Sequence, residues 1–489
     1  MLVKYKLTST ICLKVFFREQ VTLLLLCFLL FPSSCSKFVT VSPPNTSITG
    51  SDVFNADATA IAVVTNVYIN MSSSSFPNGG ITSMSLFSGL SADELSVFGY
   101  SNSTYVAYYT NALKSSNTGG SDFWNAIYPI IYVANSAIDG LNSSSGLTPA
   151  VKQQLIGEAE FIRAFCYFYL VNLYGDVPLE TETNYKSNET LARTPQAKVW
   201  GQIVADLKNA QSLLSSGYVD ATLLNNTIQR VRPTSWAATA LLARAYLYQQ
   251  QWDSAAAEAT AVINNLSMFS LDTLNGVFLA NSNEAIWQLQ PVNVDQNTQD
   301  AVLFVLPPSG PSDLYPIYLD SILVDAFEPG DQRKVNWVDS VNVNGLNYYY
   351  AYKYKVNVLT STVTEYEMIL RLGEQYLIRS EAEAQLGEFA AATTDLDTIR
   401  SRAGLPAITA TSQANILTAI YHERQVELFT EWGHRWLDLK RTGHIDSVMG
   451  SPGNVCQNKG GSWNSNWQWY PIPLYDIQHD PNLVQNPMY

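Results

Sequence analysis

The sequence is short of charge, of basic residues above all, and of cysteine and histidine. Charged residues make up 14% of its 489 residues, against about 25% in an ordinary soluble domain. Lys and Arg number 28 against 42 Asp and Glu, a formal net charge of −14. A chain so poor in cations carries no electrostatic footprint for nucleic acid or for an anionic membrane surface. The five cysteines are Cys12, Cys27, Cys35, Cys166 and Cys456. They give neither a disulfide framework nor a Cys-x-x-Cys pair for zinc. The four histidines, His422, His434, His444 and His479, have no metal-ligand spacing to one another or to cysteine. No Gly-x-Gly-x-x-Gly, Gly-Lys-Ser/Thr, Gly-x-Ser-x-Gly or His-Glu-x-x-His occurs, which removes the common nucleotide, serine-nucleophile and zinc-protease signatures. No apolar run reaches the ~18 residues of a transmembrane helix. What is abundant is aromatic and neutral polar: 11 Trp, 28 Tyr and 19 Phe in a chain that is 47% hydrophobic. That hydrophobic fraction is ample for a core and excludes global disorder. A weakly charged surface rich in Asn, Ser, Thr, Gln, Tyr and Trp suits neutral polar ligands, carbohydrate first.

The N-terminus reads as an address. Lys4, Lys6, Lys14 and Arg18 precede the apolar run 21–31 (VTLLLLCFLLF), and Pro32-Ser33-Ser34-Cys35 follows. This is the order of an export signal. The small-small-Cys ending resembles a bacterial lipoprotein cleavage site, although Pro32 stands where Leu is usual. Residues 1–34 are thus expected to be a signal peptide, with Cys35 lipidated and 35–50 an anchor and extended tether. The Asn-x-Ser/Thr tripeptides, such as the one at Asn70, are expected by chance in a chain of this composition.

Beyond the tether, 3.6-residue periodicity dominates. Leu155, Ala159, Ile162, Cys166, Tyr169 and Leu173 share one face of a helix over 151–173, which Gly175 and Pro178 terminate. Helical pairs are predicted over 235–265 and 373–402, and they superpose at an offset of 137 residues (Leu241 on Ile378, Trp252 on Phe389). Small residues let the paired helices approach, and a bulky residue after each turn locks them, a tetratricopeptide-like pattern. Further helices are predicted at 52–70, 122–140, 195–214 and 412–440. The fold class is mainly α: a tetratricopeptide-like array of about four helical pairs with an irregular, short-strand insertion. The scaffold spans 51–265, with ligand loops near 71–120, then an insertion over 266–365 and C-terminal pairs and a closing strap over 366–489. Inside the insertion, Tyr348, Tyr350, Tyr352, Tyr354, Val356 and Val358 alternate with more polar residues. This predicts a strand with one aromatic face.

Four stretches carry a family resemblance. They are GEAEFIRAFCYFYLVNLYGDVPL (157–179), RLGEQYLIRSEAEAQLGEFAAATTDLDTIRSRAGLP (371–406), IYHERQVELFTEWGHRWLDLKRTG (420–443) and WYPIPLYDIQHDPNLVQNPMY (469–489). In this order they resemble SusD/RagB-family lipoproteins. The resemblance implies a surface-exposed outer-membrane lipoprotein that binds glycan or another nutrient without catalysis. It also implies a SusC-like TonB-dependent transporter as partner, no cofactor and no nucleic acid.

Glycan recognition needs flat aromatic faces for the C–H side of a sugar ring and polar groups for its hydroxyls. The candidates are Asp93, Glu94, Tyr100 and Asn102 after the first helix, where Asp-Glu resembles a family position close to ligand. In the insertion they are Trp287, Tyr315, Tyr318, Trp337 and Tyr349. Each of these aromatics has a competing core reading, strongest for Trp287 in EAIWQLQ, and Trp124 reads as core. Trp463, Trp467 and Trp469 are candidates for a second platform. Asp325, Glu328 and Asp331 share a loop and could ligate Ca²⁺, although a solvated acidic loop is the simpler reading. Glu423 and Glu427, with Arg424, Arg435 and Lys440 nearby, read as an ion-pair network pinning the last helices. Two rivals accompany the glycan-binding reading: an adaptor that binds only a protein partner, or a family member whose cargo is peptide. A glycoside hydrolase would need two carboxylates ~5–9 Å apart in one aromatic cleft.

Overall fold

In the computed structural model residues 53–73, 83–116 and 121–489 are described. The signal, the tether and Cys35 lie outside the described residues, as does part of 71–120. From the N-terminus run α1 (Asp57–Ser73), α2 (Met84–Ser91), β1 (Leu95–Val97), α3 (Ser103–Tyr109), α4 (Ser121–Ser143), α5 (Pro149–Tyr174), α6 (Tyr185–Asn188) and α7 (Gln196–Leu213). The pair α8 (Ser235–Tyr248) and α9 (Trp252–Ile263) follows. Then come β2 (Ala285–Leu289), α10 (Gln299–Phe304), β3 (Ile317–Leu319), α11 (Ser321–Ala326), α12 (Gln332–Asn336), β4 (Val338–Val343), β5 (Leu346–Ala351) and β6 (Glu367–Arg371). The chain closes with α13 (Leu372–Leu386), α14 (Phe389–Arg402), α15 (Gln413–Glu427), α16 (His434–Arg441), α17 (Ile445–Met449), α18 (Val455–Asn458) and α19 (Leu474–His479).

Helices α4, α5, α7, α8, α9, α13, α14 and α15 pack each on the one before, the equivalent of four pairs. Helix α5 is central. Pro149 opens it where a missing N–H costs nothing, its side chains are buried almost all round, and Gly175 at φ 78° ends it. Gly157 lets α7 approach, since a Cβ there would meet Leu214 Cγ at 2.9 Å. The repeat-related pairs α8/α9 and α13/α14 are tied across the array by Arg244, whose Nε donates to Glu374 at 2.7 Å. Where one helical stretch was expected over 412–440 there are two helices. Thr430, Trp432 and Gly433 have φ of 52°, 51° and 73° and break the run.

The insertion is held by three two-stranded antiparallel sheets, β1–β3, β2–β6 and β4–β5. Sheet β1–β3 knits it to a segment more than two hundred residues away, and β2–β6 ties it to the strand that directly follows it. The β4–β5 hairpin turns at Asn344-Gly345, both at positive φ (54° and 86°), as a twist-matched two-residue hairpin turn requires. The predicted strand stops at Ala351 rather than continuing to 358, because its partner begins at Val338, paired with Ala351. Short helices α10, α11 and α12 also occupy a stretch expected to be free of helix.

A buried charge network joins insertion and scaffold. Arg371 Nη1 donates to Glu284 at 3.0 Å and Glu427 at 2.7 Å, and its Nε donates to Glu431 at 2.7 Å. Arg333 pairs with Asp331, Glu423 and Glu427. Arg402 bridges Glu284 and Glu427, and Arg400 bridges Glu328 and Glu423. Glu423 and Glu427 are therefore ion-paired as expected, but with arginines from 333, 371, 400 and 402. Arg424 and Arg435 pair instead with Asp438 and Asp93, each at 2.7 Å.

Candidate functional site

Strand β1 brings the N-terminal segment against the insertion. Ser96 lies opposite Tyr318 in the β1–β3 register, and the Phe98 N–H donates to Pro316 O at 2.7 Å. Tyr348 on β5 then closes on both strands. Its ring meets Tyr318 edge-on at 5.3 Å and Phe98 at 6.3 Å. Phe98 is 37% exposed and Tyr100 is 74% exposed, while Tyr109, Tyr318 and Tyr348 are half-buried. Beneath the rings, Ser96 Oγ donates to Asp320 Oδ2 at 2.6 Å, and the Tyr109 and Tyr318 hydroxyls meet the Ser96 hydroxyl. Burial, with Tyr109, Tyr348 and Asp320 nearby, pushes Tyr318 up to about 12. These hydroxyls therefore stay protonated and act as neutral donors and acceptors. The Ser101 hydroxyl donates to Asp313 at 2.8 Å and pins the loop that carries Tyr100. The result is a part-exposed aromatic face with hydroxyl and carboxylate groups alongside.

Among the sequence candidates, Tyr318 belongs to this cluster, Tyr315 packs beside it against Val305, Leu306 and Tyr350, and Tyr100 is exposed on the loop that follows Phe98. Asn102 is exposed and caps α3, its Oδ1 accepting from the Thr104 and Tyr105 N–H groups. Five candidates need correction as ligand-facing groups. Trp287 is fully buried, with Phe161, Phe165 and Tyr68 edge-on around it and its Nε1 donating to Val231 O. Trp337 is also sealed; its Nε1 donates to Leu274 O at 2.7 Å and Lys353 lies 4.9 Å over its ring. Asp93 is buried and doubly bonded to Arg435, and Glu94 is buried beside it. Tyr349 sits opposite Ser340, on the hairpin face away from Tyr348. Phe98, Tyr109 and Tyr348 were not among the candidates. The alternation around Tyr348 marked a face, but nothing local marked it as the one meeting β1 and β3.

Glu94 has a thermodynamic consequence. Burial first, then the neighbouring Asp93 charge, push its carboxyl from an ordinary value near 4.5 up to about 8, against the pull of Arg435 and Lys353. A raised carboxyl pKa favours folding most when both states are protonated. That contribution is full below the ordinary value and is lost as pH rises through the folded one. Glu94→Gln is therefore expected to gain stability over the parent between pH ~5 and ~8, by about 1.4 kcal/mol per pH unit. Urea midpoints across that range measure it, and parallel curves would contradict it.

The loop carboxylates read as a Ca²⁺ option do not converge. Asp331 caps α12 and pairs with Arg333, Glu328 pairs with Arg400 at 2.6 Å, and Asp325 is exposed. Glu328, His422 and Glu423 do bring ligand atoms within 4.8 Å of one another, but Arg400 already bridges the two carboxylates. Of the C-terminal tryptophans, Trp463 donates to Asp446 and meets Trp436 edge-on, and Trp469 lies under Lys440 at 3.8 Å.

Fold and cluster together define a helical-pair scaffold that presents an aromatic face on inserted strands. Residues 331–489 match the SusD family model, and residues 37–247 match the model described as starch-binding, associating with outer membrane. A SusD-like protein of Formosa agariphila, P25, is 26% identical over 428 residues, covering 75% of this chain and 78% of its own. A SusD superfamily structure from Bacteroides vulgatus superposes with a TM-score of 0.76 at 21% identity, covering 88% of this chain and 99% of its own. A laminarin-binding SusD-like protein superposes with a TM-score of 0.73 at 24% identity, over the same shares. The chain belongs to the SusD family.

Proposed function

We propose that the chain is a non-enzymatic oligosaccharide-binding lipoprotein that captures glycan at the Phe98–Tyr318–Tyr348 face. From a lipid anchor at Cys35 on the outer membrane it delivers the glycan to a SusC-like TonB-dependent transporter. The observation that carries the reading is the part-exposed set of rings, with the Ser96–Asp320 hydrogen bond beneath them. Such rings offer apolar area to the C–H face of a sugar, and the hydroxyls and carboxylate offer directional partners. Family membership and the laminarin-binding structural neighbour support it. A catalytic role for Glu423 and Glu427 is disfavoured, since both are fully buried and held by arginines.

Calorimetric titration with laminarin-derived, malto- and xylo-oligosaccharides and with a peptide library tests the reading. Saturable binding of at least one saccharide, recovered uncleaved, is the expected result. Binding of peptide alone would replace the cargo, and turnover would end the non-enzymatic reading. Isolation of the chain from outer membranes with a TonB-dependent transporter is expected as well. If the chain labels with a fatty acid, Cys35→Ala should abolish the label.

A further inference from the structure

A second aromatic recess lies on the helical scaffold, built from elements other than the strand cluster. It is a groove of about 670 Å³ between α4, the segment 178–190 and α19. Tyr128 and Tyr132 come from α4 and Tyr185 from α6, and the carboxylates of Glu180, Glu189 and Asp476 line the same space. Tyr132 is 49% exposed and Tyr185 is 66% exposed, so large ring faces are open to solvent. The rest of the wall is held in place. Tyr128 donates to Pro178 O at 3.0 Å, the Trp124 side chain hydrogen-bonds Asp476, and Asn188 Nδ2 donates to Glu180 at 3.3 Å. Among the described lining residues there is no Lys or Arg; His479 is the one basic ring.

Aromatic faces and three carboxylates, with His479 beside Asp476 as the one basic ring, form an environment that disfavours anions. It favours a group that is flat and apolar on one side and positively charged at an edge. Burial lifts Glu180 to about 7 with no arginine or lysine to oppose it. An ammonium group arriving there would supply the missing charge.

We propose that this groove is a second saccharide site, selective for amine-bearing sugars. The rings of Tyr132 and Tyr185 stack on the pyranose face, and Glu180, Glu189 and Asp476 receive the ammonium and hydroxyl protons. The site is independent of the strand cluster, because it shares no residue with it. Uronate and sulfated glycans are excluded by the same carboxylates.

The test titrates the full chain with chitosan tetraose, its fully N-acetylated counterpart and tetragalacturonate. The amine tetramer should bind about tenfold more tightly than the acetylated one, and the uronate should show no binding at this groove. Tyr185→Ala and Glu180→Gln, one exposed and one isosteric, should each weaken the amine tetramer about tenfold. The exposed control Leu266→Ser should keep wild-type affinity. Equal affinity for the two tetramers, or affinity that survives both groove substitutions, overturns the proposal. A loss that follows Tyr348→Ala instead would place the sugar at the strand cluster and also overturn it. If no neutral glycan binds anywhere but the amine tetramer still responds to Tyr185→Ala, the groove stands while the strand-site reading falls.

Discussion

Arg371→Met should lower the free energy of unfolding by about 3–5 kcal/mol at neutral pH, the usual cost of removing one partner from a buried ion pair. Arg371 is 2% exposed and ends β6 where α13 begins. Its guanidinium donates to Glu284, Glu427 and Glu431, and to the Glu427 carbonyl. Deleting it removes the one cation that all three buried carboxylates share and leaves them short of compensating charge. Glu284 keeps Arg402, Glu427 keeps Arg402 and Arg333, and Glu431 keeps Lys353, but Arg402 is divided between two carboxylates and Arg333 also serves Asp331 and Glu423. Burial resists ionisation of Glu427, yet Arg402, Arg371 and Arg333 outweigh it and hold the carboxyl well below its usual range. A lowered carboxyl pKa contributes stability that is full above the unfolded value of ~4.3 and is lost as pH falls through the folded one. The parent should therefore keep its network down to mildly acidic pH, and the variant should unfold at a higher pH on acid titration. Urea unfolding at neutral pH and an acid titration followed by circular dichroism measure both. A loss under ~1 kcal/mol would mean that the remaining arginines re-pair the carboxylates. Glu427→Gln in the Arg371→Met background should cost less than the two single losses added together, since they share one contact.

Helices and aromatics were legible to different degrees. Helix α5 and the pairs α8/α9 and α13/α14 could be read because their periodicity is local and their termini carry Pro149, Gly175 and Gly387. The structural role of Glu423 and Glu427 was legible, but their partners were not: Arg333 and Arg371 come from other elements. The aromatic positions depend on packing that no short window records. Trp337 reads as a ligand candidate with a competing core reading, and the structure shows it buried, with Lys353, brought in by the end of α15, over its ring. Trp287 lies in an apolar strand and is core by the ordinary rule. Tyr348 and Tyr349 are adjacent and chemically identical, and the hairpin register alone separates them. The pairing of β1 with β3 that gathers Phe98, Tyr318 and Tyr348 spans more than two hundred residues of chain, so neither segment betrays the other.

The combined substitution Phe98→Ala with Tyr348→Ala should reduce affinity for the bound oligosaccharide by about 100-fold while the protein stays folded. A buried aromatic anchor in a binding face contributes on the order of 1–2 kcal/mol or more, and two of them give about 3 kcal/mol, or two decades. The rings touch each other at 6.3 Å, so the double variant should lose less than the two single losses added together. Phe98 is 37% exposed and Tyr348 half-buried, so neither truncation opens a large core cavity. Tyr348→Phe separates the two contributions of the tyrosine. It keeps the face that stacks and removes only the hydroxyl, so affinity should remain within about threefold. If Tyr348→Phe instead lost as much as Tyr348→Ala, the hydroxyl rather than the ring face would be holding the sugar. If the double variant bound normally, these rings would be packing residues of the β1–β3–β5 corner and the glycan would dock elsewhere. Calorimetry of the double variant, the two single alanine variants and Tyr348→Phe against the same saccharide decides between these outcomes. Thermal unfolding run in parallel separates lost affinity from lost fold.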